Sequence, residues 1–143
     1  MQTNSNLNNK KMIVLSLLSF TILISVVGLY FPFSFTDNYY LFSYKDLLSL
    51  LMYIVSLVLV GITILVFSRA TYKENLLRAR MLTLGSIASF LLFLLFIDNF
   101  GVEQTGMITF NLGIGFFFFF LANVSLIIVV LVINNLANYY PAK

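Results

Sequence analysis

Few side chains in this sequence could do acid–base, nucleophilic or metal chemistry. It has no His, the commonest general base and metal ligand, and no Cys, which removes thiol nucleophiles, thiolate metal sites and disulfides. Asp98 and Glu103 lie together in the acidic segment DNFGVEQTG, but two carboxylates without further fixed oxygen ligands make a poor cation site. We therefore expect no catalytic residue, no cofactor and no metal, and interpret both carboxylates as solvated loop charges.

Asn111 and Asn123 are the other polar groups of interest, because they lie within a long apolar run. An amide in lipid costs free energy unless it is paired, and hydrogen bonds between membrane helices contribute about 0.6 kcal/mol on average. Contact with a ligand is the functional alternative. A bond to a neighbouring helix is the interpretation that we prefer.

The same run contains GIGFFFFFLAN, residues 113–123, in which five phenylalanines are consecutive. Successive residues of a helix are rotated by about 100°, so the five rings surround the helix and cannot converge on one cofactor. One ring, Phe118, lies on the same helical face as the small residues Gly115 and Ala122, and we expect it alone to pack inward. The glycines of GIG do not make a dinucleotide fingerprint, which needs a preceding strand and a third glycine.

The composition indicates that lipid surrounds much of the chain. Hydrophobic residues make up 61% and charged residues only 9%, whereas a soluble domain carries about 25% charged residues. A hydrocarbon core is spanned by about 20 helical residues, and four uncharged apolar runs approach or exceed this length: 12–30, 47–67, 81–97 and 108–133. We predict an all-α integral membrane protein, a single domain over residues 1–143, whose short connections favour an antiparallel bundle of four transmembrane helices.

The ends of two runs need interpretation. The third helix is expected to begin near Tyr72, because Thr71 and Glu74 have the spacing of a capping box, and to continue to about Ile97. The first run ends in SVVGLYFPF, which is not a small-x-small cleavage site, so we interpret it as a retained span rather than a signal peptide.

The loop charges predict the orientation. Short loops rich in Lys and Arg mark the cytoplasmic side of a membrane protein. One side of the predicted bundle has a single acid, Glu74, and the basic residues Lys10, Lys11, Arg69, Lys73, Arg78, Arg80 and Lys143; the other has Lys45 with Asp37, Asp46, Asp98 and Glu103. We expect both termini in the cytoplasm, and the net charge of +3 to serve orientation rather than nucleic-acid binding.

Small and hydroxyl-bearing residues predict where the helices pack, since such residues mark contacts between membrane helices. Each span has one such face. The candidate contact residues are Thr21, Ser25 and Gly28 on helix 1; Ser49, Ser56 and Thr63 on helix 2, with Tyr53 beside them; Gly85, Ser86, Ala88 and Ser89 on helix 3; and Asn111, Gly115, Phe118, Ala122, Asn123 and Ser125 on helix 4. A polar pathway is the alternative, but coupled transport usually requires an ionisable residue at membrane depth, and these spans have none.

The first outer loop is rich in aromatic residues. Residues 31–35 and 40–44 alternate aromatic with other residues on both sides of an Asp-Asn turn, which is typical of a short β-hairpin. An irregular loop anchored by its rings at the lipid headgroups is an equal alternative. A surface that binds a partner is a third.

The layout resembles that of four-span proteins of the claudin type. Both termini are predicted inside, and GLY at 28–30 closes helix 1 where claudins carry GLW. This chain has no Trp and no Cys pair, and its first outer loop is shorter than the claudin sheet requires. The resemblance therefore implies a topology, and we transfer no functional residue from it.

Three functions fit these features. The first is a non-catalytic membrane protein, an accessory subunit or organiser of a membrane assembly, with the bilayer and further copies or other membrane subunits as partners. The second is a small oligomeric channel or transporter with a path lined by Ser56 and Thr63. The third is an enzyme acting on lipid, with Asp98 or Glu103 as its base. We prefer the first, in the plasma or cell membrane, with an organelle membrane as the alternative.

Overall fold

The computed structural model describes residues 2–31, 47–96 and 114–140, and the side chains of 7–31, 50–93 and 114–140. All regular structure in these ranges is helical. The helices are α1 (Gln2–Gly28), α2 (Leu47–Ser68), α3 (Lys73–Phe96) and α4 (Ile114–Leu136). The predicted hairpin, the acidic loop with Asp98 and Glu103, and Asn111 lie outside the described residues.

The prediction of four apolar helices is confirmed. Segments of 22, 19, 21 and 23 residues, within α1 to α4 respectively, are long and apolar enough to cross a membrane. At a rise of 1.5 Å per residue, these segments are about 28–35 Å long, which is close to the thickness of a hydrocarbon core. This chain therefore has the architecture of a multi-pass membrane protein.

The helix ends differ from the sequence expectation by up to ten residues, the largest difference being that α1 begins at Gln2 rather than near residue 12. α3 begins at Lys73, one residue after the capping box predicts. α4 ends at Leu136, three residues beyond the predicted run, and includes Asn134 and Asn135. These two amides are exposed and accept hydrogen bonds from basic side chains, which supports the helix past the end of the apolar run.

The four helices form a ring in chain order. α2 packs most extensively on α3, and α1 on α4, while the α3–α4 and α1–α2 contacts complete the ring. The connection between α2 and α3 is short and begins with a turn in which the Ala70 amide donates to the Phe67 carbonyl over 3.1 Å. Such a short connection makes the two helices antiparallel neighbours.

The beginning of α1 and the end of α4 lie at the same end of the bundle. Lys10 Nζ donates to Asn135 Oδ1 over 2.9 Å, and Lys11 Nζ donates to the carbonyl oxygen of Ala70 over 3.0 Å. We call this end the basic end; its cations are Lys10, Lys11, Arg69, Lys73, Arg78 and Arg80.

Apolar side chains fill the inside of the ring and also cover its outside. Leu18, Val60 and Leu126 are fully buried, whereas Leu23 and Leu131 are 63% and 64% exposed. Large exposed hydrophobic residues occur on all four helices. A contiguous apolar surface of this kind requires lipid or another membrane protein around it.

Candidate functional site

The α1–α4 contact contains a buried hydroxyl pair. Thr21 Oγ1 lies 2.8 Å from the carbonyl oxygen of Leu17 and 3.0 Å from Ser125 Oγ, which lies 3.2 Å from the same carbonyl. Thr21 is fully buried and Ser125 is 4% exposed. Because lipid offers no competing donors or acceptors, this three-atom network ties α1 to α4.

Gly28 allows a close approach between α1 and α4. A Cβ added at Gly28 would lie 2.9 Å from the Cβ of Phe118 and 3.8 Å from the carbonyl oxygen of Gly115. Since real Cβ atoms do not approach one another so closely, any larger residue would push α4 away. The ring of Phe118 then stacks on Phe31, with centroids 5.3 Å apart and planes at 28°.

An aromatic cluster joins the other helices. We define it as Tyr53 of α2, Phe90 and Phe93 of α3, and Phe119 of α4. The ring of Tyr53 meets those of Phe90 and Phe93 edge-on, with centroids 5.3 Å apart in both pairs. The ring of Phe119 lies 5.5 Å from Phe90 and 5.3 Å from Phe93. Such pairs each contribute about 0.5–1.5 kcal/mol beyond the apolar area that they bury.

The Tyr53 hydroxyl connects the cluster to the remaining helix, α1. It donates a hydrogen bond of 2.8 Å to the carbonyl oxygen of Ser25 in α1. Tyr53 thus contacts α1 and α3 directly, and the rings of Phe90 and Phe93 link it to α4. Ser25 itself is buried, and its Oγ has no partner among the described residues.

The expectation that Phe118 alone packs inward is wrong. Phe119 is the buried ring of the run at 3% exposure, while Phe118 is half buried against α1. The reason is that α4 packs against two helices, α1 and α3. Its small-residue face, with Gly115, meets α1, and a separate bulky face meets α3.

Hydroxyls at the α2–α3 contact bond to backbone carbonyls. Ser86 Oγ of α3 donates to the Ser56 carbonyl oxygen across the contact over 3.0 Å. Ser56 Oγ and Thr63 Oγ1 donate to the carbonyls of Tyr53 and Leu59 in their own helix, over 2.7 and 2.8 Å. Ser56, Thr63 and Ser86 are fully buried. Their donors are thus already used within the protein.

Other predicted contact residues have more varied positions. Ala122 is fully buried in α4. Gly85 and Ser89 are half buried in α3, and a Cβ added at Gly85 would make an ordinary 3.6 Å contact with Leu59 Cδ1. Ser49 lies in α2, but its side chain is outside the described residues.

Asn123 makes no interhelical hydrogen bond within the described ranges, whereas the sequence predicts one. Its Nδ2 donates to the carbonyl oxygen of Phe119, one turn earlier in the same helix, over 3.0 Å. Its Oδ1 is buried and has no partner within the described part of the chain. An unpartnered buried acceptor costs about 1–3 kcal/mol in soluble proteins, so Asn123 does not stabilise the bundle as an interhelical bond would.

At the basic end, side-chain contacts hold the end of α4. Arg80 Nη1 donates to Asn134 Oδ1 over 2.8 Å, while Lys10 donates to Asn135. The ammonium groups of Lys10 and Lys11 also lie 5.0 and 5.8 Å from the ring centroids of Tyr139 and Tyr140. The sequence alone predicts no contact for these two asparagines, because the position of the α1 and α3 cations relative to the end of α4 depends on tertiary packing.

The described residues offer little for catalysis. No group of three or more metal-ligating side chains occurs within the described ranges, where Glu74 is the only acid. What this arrangement can do is hold four helices together and present their apolar outer faces to lipid or to other proteins.

No family model, curated protein or solved structure matches this chain. Its own contacts therefore carry the functional proposal.

Proposed function

We propose that this protein is a non-catalytic, multi-pass membrane protein that serves as an accessory subunit or organiser of a larger membrane assembly. The observation that supports this best is how its polar groups are used. The hydroxyls of Thr21, Ser56 and Thr63 are fully buried and bonded inside the bundle. The outer faces, by contrast, are broad and apolar.

The same observation disfavours a channel lined by helix 2. A hydrated path would need Ser56 and Thr63 to face water, but both are fully buried and donate to carbonyls of their own helix. If a path nevertheless runs there, Thr63→Val should abolish flux in reconstituted vesicles, because it removes the hydroxyl and keeps the shape. We expect no such flux in the unmodified protein.

One outer face is suited to a protein partner. Ser16 and Ser19 are exposed on α1, one turn apart and therefore on the same side of the helix. Hydroxyls that face lipid gain a hydrogen-bond partner when another membrane helix covers them. We propose that a second copy or another membrane subunit packs on this face.

Extraction in a mild detergent followed by native mass spectrometry tests the proposal. We expect an assembly larger than the monomer, and we expect the double variant Ser16→Leu, Ser19→Leu to dissociate it. Ser68→Leu is the matched control, since Ser68 is an exposed serine on a different helix, at the C-terminal end of α2. A strictly monomeric particle without partners, obtained from native membranes, would contradict the proposed role.

We further propose that the basic end faces the cytoplasm. Its six cations outnumber a single described acid, as the positive-inside rule requires. Because the chain has no native Cys, Tyr30→Cys and Asn138→Cys can each be labelled with an impermeant maleimide. Cys at 30 should react in intact cells, and Cys at 138 only after permeabilisation. The reverse pattern would overturn the orientation.

A further inference from the structure

A groove of about 570 Å³ runs along the outside of the α2–α3 contact. Its lining includes Leu59 and Val66 from α2, and Leu77, Arg78, Met81 and Gly85 from α3. Its volume lies within the range of about 300–1,000 Å³ that is typical of small-molecule sites. The walls are apolar apart from one guanidinium.

The groove follows the length of α2 and α3. Val66 and Arg78 lie near the basic end, whereas Leu59 and Gly85 lie deeper and face one another across the contact. Arg78 and Gly85 are two turns apart, a distance of roughly 10 Å along α3. The charged group is therefore at the mouth of the groove, and glycine leaves space at its inner end.

Arg78 has no competing partner in the described part of the chain. Its side chain is exposed, and it forms no hydrogen bond or ion pair with another described residue, although Glu74 lies one turn away. A guanidinium binds phosphate with two parallel hydrogen bonds, so an unpaired Arg beside lipid suits a phosphate-bearing headgroup.

We propose that this groove binds one anionic phospholipid. An acyl chain lies between α2 and α3, and the headgroup phosphate binds Arg78. Charge complementarity favours this occupant over a neutral lipid, because the mouth opens among the cations of the basic end. The site does not depend on the partner proposed above, and its loss would leave that proposal standing.

Native mass spectrometry of the full chain with added phosphatidylglycerol or phosphatidylcholine of matched acyl chains tests the site. We expect tighter binding of phosphatidylglycerol, and a loss of about fivefold in Arg78→Gln, which is the effect of one cation near an anionic surface. Arg69→Gln is the control, since Arg69 is also an exposed cation of the basic end but lies outside the groove. Equal losses in both variants would mean diffuse attraction and would overturn the site.

A second pair of variants tests the acyl-chain half. Gly85→Leu adds a side chain at the inner end of the groove, where its Cβ makes only an ordinary contact, and should reduce binding as Arg78→Gln does. Gly61→Leu makes the same change in α2, where an added Cβ would meet nothing within 4 Å, and should leave binding unchanged. Undiminished binding in Gly85→Leu, with normal thermal unfolding, would show that no chain occupies the groove.

Discussion

The α1–α4 and α2–α3 contacts hold similar helices together by different means. α2 and α3 are joined by a short turn, so their contact forms between neighbours in the sequence. α1 and α4 have most of the chain between them. They are held by the close contact at Gly28, the Thr21–Ser125 hydroxyl pair and the hydrogen bond from Lys10 to Asn135. The α2–α3 contact leaves a groove at Gly85, whereas the α1–α4 contact has no room for a methyl group at Gly28. Packing is more specific where the chain itself provides no tether.

The largest expected effect comes from the aromatic cluster, which links the two pairs. Phe119→Ala should lower the free energy of unfolding by about 3 kcal/mol, because it leaves a cavity against Phe90 and Phe93. Phe117→Ala is the control within the same run; its ring is 57% exposed, so the change should stay within about 0.5 kcal/mol. Unfolding by denaturing detergent in mixed micelles measures both. Similar losses in the two variants would show that the run is not divided into inner and outer rings.

The two glycines test the comparison directly. Gly28→Ala should destabilise the protein by about 1–3 kcal/mol through overpacking, since the new Cβ would lie 2.9 Å from that of Phe118. Gly85→Ala should be neutral or slightly stabilising, because its Cβ makes an ordinary contact and alanine favours helix. Phe118→Ala should not rescue Gly28→Ala, since it keeps the clashing Cβ. Equal thermal midpoints for the two glycine variants would remove the distinction between the contacts.

A double-mutant cycle measures the hydroxyl pair. Thr21→Val and Ser125→Ala should show a coupling energy of about 0.6 kcal/mol, the average for interhelical hydrogen bonds in membranes. Thr63→Val with Ser125→Ala should show none, because the Thr63 hydroxyl donates within its own helix. Coupling in both cycles would indicate a global effect rather than a specific α1–α4 bond.

The smallest effect is expected at the basic end. Asn135→Ala removes the acceptor of Lys10, but both side chains are at the surface, where such bonds contribute little. The change in unfolding midpoint should be barely measurable and should not exceed that of Asn138→Ala, an exposed control. A large loss would mean that α4 depends on this end more than on its buried hydroxyls.

Much of this fold could be predicted from apolar length alone. The four runs became four helices, and Thr21, Ser25 and Gly28 lie buried on one face of α1 as small and hydroxyl residues predicted. In lipid, the length of an apolar run and the face that carries small residues depend little on the neighbouring helices, so both can be predicted from a single sequence.

The identity of each contact could not be predicted in this way. Phe118 and Phe119 are chemically identical, and only the position of α3 beside α4 decides which ring is buried. The hydrogen bonds of Asn134 and Asn135 depend on how α1 and α3 place Lys10 and Arg80 beside the end of α4. Both the buried ring and the asparagine bonds result from tertiary packing, and neither gives a periodic pattern in the sequence.

The hydroxyl network also has a consequence for biosynthesis. Thr21 precedes Ser125 by 104 residues, and at about 5–20 residues per second the ribosome needs roughly 5–20 s to make that stretch. During this interval α1 can reside in the bilayer without α4, because Thr21 is within hydrogen-bond distance of the Leu17 carbonyl in its own helix. Ser125, in contrast, bonds only to α1 among the described residues. The Thr21 hydroxyl of α1 therefore has an acceptor before α4 is made, and Ser125 of α4 then meets a carbonyl of α1 that is already in place.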